Sequence, residues 1–70
     1  MSYPSLLALV GHVRKQHPGM SGELAISIGS IAQSAFEEAD EGRYDLPVCH
    51  EPQDAISIAA EYLKFLAYGD

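Results

Sequence analysis

The chain has 70 residues, 47% of them hydrophobic, and a formal net charge of −6. That length makes one domain, and a chain so short buries only about 60% of the surface its unfolded form exposes. A net-negative surface repels phosphate backbones and anionic lipids, which argues against direct nucleic-acid binding and membrane attachment.

The first residues, Met1-Ser2-Tyr3-Pro4, carry no positive n-region of the kind that opens a secretory signal. The apolar run Leu6 to Val10 falls far short of the roughly 20 residues a membrane span requires. A first helix is expected over residues 4–16. Ser2 or Tyr3 would cap it, with Pro4 at its first position, where a missing N–H costs nothing. Leu6, Leu9, Val10 and Val13 recur at helical spacing and predict one buried stripe. Arg14 and Lys15 fall in the last turn, where positive charge suits the helix dipole. His17-Pro18-Gly19 ends the helix, because Pro18 disfavours the α conformation at His17.

A second helix is expected over residues 21–41, with Ser21 as N-cap and Glu23 in the first turn. Two apolar faces compete for the core. Leu24, Ile28, Ile31 and Ala35 form one; Ala25, Ala32, Phe36 and Ala39 form the other. Ile26 lies off both and is expected to be partly exposed. Isoleucines at 26, 28 and 31 suggest a strand, but the helical spacing runs on to Phe36 and overrides it. Gly11 and Gly29 are mid-helix glycines, each costing up to about 1 kcal/mol relative to alanine. A close helix crossing would offset that cost. Gly42 is placed as the residue just beyond the helix end.

Residues 43–51 read as a loop, since Leu46-Pro47 and Glu51-Pro52 interrupt any helix there. Tyr44, Leu46 and Val48 alternate and are expected to lay apolar side chains on the helices. A third helix is expected over residues 52–68, closed by Gly69. It has two apolar faces: Ile56, Ala59, Ala60, Leu63, Leu66 and Ala67 on one, Ala55, Ile58, Tyr62 and Phe65 on the other. One small core cannot cover both, so the third helix is expected to support a homodimer.

Chemistry-bearing residues are sparse. Cys49-His50-Glu51 places a thiol, a base and an acid side by side, but adjacent residues rarely face one another and catalytic sets come from separate segments. His12 and His17 are five apart rather than the four that put two metal ligands on one helical face. No catalytic, cofactor-binding or metal residue is assigned, and the chain is read as not an enzyme. Its single cysteine, Cys49, cannot form an intrachain disulfide and suits a reducing cytoplasm.

Charge supplies the strongest pattern. Residues 1–20 carry Arg14 and Lys15 and no acid, whereas residues 21–50 carry Glu23, Glu37, Glu38, Asp40, Glu41 and Asp45 against Arg43. The densest run sits at the C-terminal end of the second helix, where each negative charge is unfavourable by roughly 0.3–1 kcal/mol.

The expected whole is a single all-α domain over residues 1–70, a three-helix bundle that pairs through its third helix. It is expected to work as a small acidic protein-binding module: an adaptor, regulator or inhibitor with a basic protein partner. The residues expected to carry binding are Glu37, Glu38, Glu41, Tyr44, Asp45, Tyr62, Phe65 and Tyr68, with the aromatics exposed. The competing reading is a helical oligomer that holds a small molecule in a pocket between subunits.

Overall fold

A computed structural model of the chain describes residues 3–46 and 55–69. These residues form three helices, α1 (Leu6–Gln16), α2 (Gly22–Asp40) and α3 (Ala55–Tyr68). The Cα radius of gyration is 11.3 Å, close to the roughly 11 Å expected of a compact chain this long. Cys49, His50 and Glu51, the start of the expected third helix at 52–54, and Val48 lie outside the described residues.

The helix starts follow from side-chain caps. Ser21 is extended at φ −65°, ψ 152° and its hydroxyl accepts from the Leu24 N–H at 3.1 Å. The α1 cap differs from expectation. Ser5, not Ser2 or Tyr3, is the N-cap, and its hydroxyl accepts from the Ala8 N–H at 3.2 Å. Pro4 therefore precedes the cap instead of occupying the first helical position. Ser5 satisfies an otherwise unpaired N–H of the first turn, which a tyrosine side chain cannot reach.

The end of α2 is sharper. The Gly42 N–H donates to Ala39 O at 3.1 Å, and the Arg43 N–H donates to Glu38 O at 2.9 Å. This pair of bonds is a Schellman motif, and it requires a left-handed residue at position 42. Gly42 supplies it at φ 82°.

Helices α1 and α2 form an antiparallel hairpin around the Pro18-Gly19 turn. The register reads from three contacts. Arg14, near the end of α1, approaches Gly22 at the start of α2. Leu6 and Val10 lie against Gly29. Tyr3, ahead of α1, donates from its hydroxyl to Glu37 Oε2 at 3.2 Å. α2 is the central element: it packs extensively against both neighbours, while α1 and α3 meet only at a narrow contact.

The core selects one face of each helix. From α1 it takes Leu9 and Val13; from α2, Ala25, Gly29, Ala32, Ala35 and Phe36; from α3, Ala55, Ile58, Ala59 and Tyr62. On α2 the face of Ala25, Ala32 and Phe36 wins, joined by Gly29 and by Ala35 from the competing face. Alanines and a glycine let the neighbouring helices come close, and dispersion rewards short distances. Leu24, on the competing face, stays half exposed, while Ile28 and Ile31 pack at the core margin. Ile26 is half exposed, as the spacing predicts. The expected close crossing exists at Gly29 but not at Gly11, which has no neighbouring side chain within 4 Å of where a Cβ would stand.

On α3 the aromatic face turns inward. Tyr62 is only 8% exposed, contrary to the expectation that it lies on the surface. Most of the aliphatic face is left outside: Leu63 is 48% exposed, and Ala60, Leu66 and Ala67 are exposed too, while Ala59 joins the core and Ile56 packs against it. No helix among the described residues is long and apolar enough to cross a membrane.

Candidate functional site

The Schellman turn at Gly42 reverses the chain, and that reversal builds the site. It sends Arg43 back over the last turn of α2. There the Arg43 guanidinium pairs with Glu38 Oε2 at 3.2 Å and Glu41 Oε1 at 2.6 Å. The sequence places four carboxylates where the helix dipole opposes them; the loop returns one cation to two of them.

The next residue, Tyr44, leans onto α3. Its ring centroid is 5.2 Å from Tyr62 at 75°, an edge-to-face contact, and 4.8 Å from Phe65 at 56°. Tyr62 and Phe65 stack at 6.1 Å and 22°. Such pairs contribute about 0.5–1.5 kcal/mol each beyond area burial. Tyr44 and Phe65 are half-buried, and Tyr62 is buried. The cluster therefore works chiefly as a joint between the loop and α3.

Carboxylates ring these tyrosines. The Tyr62 hydroxyl titrates above its ordinary range because burial disfavours the phenolate, with Glu38 and Glu37 adding repulsion. Tyr44 shifts the same way through burial, then Glu61. Tyr3 is raised first by its hydrogen bond to Glu37, then by slight desolvation and the charges of Glu37, Asp40 and Glu41. One end of the molecule thus gathers Glu37, Glu38, Asp40, Glu41 and Glu61 around three phenols.

The expected site residues divide accordingly. Glu37, Glu38, Glu41, Tyr44, Tyr62 and Phe65 come together here. Asp45 is exposed and, with Gly42, Arg43, Tyr44 and Phe65, lines an open concavity of about 210 Å³. A second concavity of about 190 Å³ is lined by Tyr3, Phe36, Ala39, Asp40 and Leu46. Tyr68 stands apart, 79% exposed at the end of α3. Two members were missed. Tyr3 was read only as a cap, and no spacing signal links it to Glu37, 34 residues away. Glu61 was not among the expected site residues, and only the fold brings it near Tyr44.

Among the described residues no three His, Cys, Asp or Glu side chains converge in a way that would hold a metal ion. Comparison with protein-family models, with curated proteins and with solved structures gave no match.

Proposed function

We propose that the chain is a small non-enzymatic protein-binding module, an adaptor, regulator or inhibitor, that offers its acidic end to a basic site on another protein. The observation that carries this reading is the fixed presentation of the carboxylates. The Schellman turn and the Tyr3–Glu37 hydrogen bond hold the end of α2 in place, so little ordering is required when a partner binds. Arg43 engages Glu38 and Glu41, while Glu37 and Asp40 form no ion pair among the described residues. The lone Cys49 suits a reducing cytoplasm as the place where this binding occurs.

Self-association belongs to the same reading. Among the described residues Leu9, Val13 and Ile58 are fully buried and Phe36 and Tyr62 nearly so, the rest of the core being alanines and Gly29, and small domains often add an oligomer interface to such a core. We assign that role to α3.

A small-molecule module is the second reading. The two concavities favour it, but each is below the roughly 300–1,000 Å³ of ordinary ligand pockets. Their aromatic neighbours are also engaged with one another.

The test is capture from a native-host extract on immobilised wild-type chain and on a Glu37→Gln, Asp40→Asn, Glu41→Gln triple variant. The reading expects a retained protein that moderate salt releases and that the triple variant fails to hold. Equal retention by both chains, or retention indifferent to salt, would overturn it.

A further inference from the structure

The concavity between Tyr3 and the last turn of α2 has the shape and lining of a socket for one side chain. Phe36, Ala39 and Leu46 give it hydrocarbon walls, and Tyr3 and Asp40 complete the lining. Phe36 is 7% exposed and belongs to the core, so that wall is fixed. Tyr3 is held by the hydrogen bond from its hydroxyl to Glu37 Oε2 at 3.2 Å. Asp40 is exposed and makes no ion pair among the described residues. At about 190 Å³ the hollow is too small for an ordinary ligand, but it has room for a single side chain.

Its charge selects a cation. Asp40 is the last residue of α2, where the helix dipole leaves partial negative charge on the terminal carbonyls. Glu37 and Glu41 lie close enough to act, with Asp40, on the Tyr3 hydroxyl. The last turn of α1 carries Arg14 and Lys15, but that of α2 carries no basic residue. The cation that the Schellman turn does return, Arg43, is engaged with Glu38 and Glu41. Asp40 is left as a lone carboxylate beside an apolar hollow.

We propose that this hollow receives a lysine side chain of the partner protein, with its hydrocarbon stem on Phe36, Ala39 and Leu46 and its ammonium group on Asp40. This rests on the reading of the acidic end as the binding site and names the group that the site receives. A lysine stem buries along apolar surface while its charged head stays at the rim. The ammonium is a compact point charge that one carboxylate serves, whereas the arginine fork is matched to bidentate partners. One side chain in an open hollow binds weakly alone, so this contact adds to the wider attraction of the acidic end.

The experiment is a nuclear magnetic resonance titration of the full chain with capped tripeptides that have lysine, arginine or acetyllysine at the centre. The lysine peptide should shift the Ala39 and Leu46 methyls and the Tyr3 ring saturably. The arginine peptide should bind several-fold more weakly, and the acetyllysine peptide should leave these signals unmoved. Asp40→Asn and Tyr3→Ala, each with wild-type helical circular dichroism, should weaken lysine binding several-fold. Glu23→Gln removes the same charge from the opposite end of α2 and should change binding little. No saturable shift at Ala39 and Leu46, arginine binding as tight as lysine, or equal losses from Asp40→Asn and Glu23→Gln would overturn the proposal. The two claims fail separately: capture of a partner that the triple variant abolishes keeps the acidic end in place even when the tripeptides find no socket.

Discussion

Val10 and Gly29 mark where α1 and α2 come closest: a Cβ on Gly29 would stand 2.7 Å from Val10 Cγ2 and 3.3 Å from the Val10 backbone nitrogen. Valine has little χ1 freedom within a helix, so it cannot easily turn aside. The glycine is needed here for the space it leaves.

That contact separates the two mid-helix glycines. Gly29→Ala should destabilise by about 1–3 kcal/mol through overpacking, partly offset by better helix propensity. Gly11→Ala meets no neighbour within 4 Å and should stabilise by about 0.5–1 kcal/mol. Urea unfolding of both variants checks the contrast. Equal effects would mean that the helices do not cross at Gly29.

The left-handed Gly42 is the next sensitive point. Its φ of 82° is strained for any residue with a Cβ. Gly42→Ala should cost about 1–2 kcal/mol. It should also loosen Arg43 and Tyr44, which the turn directs onto Glu38 and α3. Unfolding midpoints and the near-ultraviolet dichroism of the tyrosines should fall together. A stable variant with unchanged aromatic signal would contradict the turn's positioning role.

The aromatic joint predicts a difference in size between two substitutions. Tyr62→Ala empties a buried ring site and should cost about 3–5 kcal/mol, a large share of the roughly 4–10 kcal/mol that a chain this long has in all. Tyr62→Phe keeps the ring and should stay near wild type. Thermal unfolding distinguishes them; similar losses from both would move the importance from the ring to its hydroxyl.

Alkaline pH should act through the same cluster. Tyr44 and Tyr62 titrate above 10.0 in the folded chain, chiefly because burial disfavours the phenolate. Unfolded tyrosines titrate at their ordinary value and lose protons first. The stabilisation is therefore fully present below about pH 10 and declines as pH rises through the folded-state values. Phenolate absorbance followed with helicity should show the two changing together in that range. Ordinary titration of both tyrosines with helicity intact would contradict their burial.

Much of the fold was legible because its punctuation is chemical. Ser21, Pro18-Gly19, Gly42 and Gly69 act locally, and both ends of α1 and α2 and the C-terminal end of α3 fall within two residues of the expected ones. The choice of faces was not legible. On α2, Leu24, Ile28 and Ile31 promise more buried area per residue than Ala25, Ala32 and Ala35. The core took the alanines because close approach depends on both partners, and Val10 lies on another helix. The same choice turned Tyr62 inward and left Leu63 outside. The acidic end was readable as composition; its joining to Tyr3, Tyr44 and Glu61 depends on tertiary contacts that no local spacing encodes.

The central claim is that the acidic end binds a basic protein partner. The most direct measurement is the affinity of the captured partner for wild-type chain and for the Glu37→Gln, Asp40→Asn, Glu41→Gln variant across a salt series. Affinity that falls steeply with salt for wild type, and is weaker and flatter for the variant, is the predicted result. A flat salt dependence for wild type, or equal affinities for the two chains, would contradict the claim.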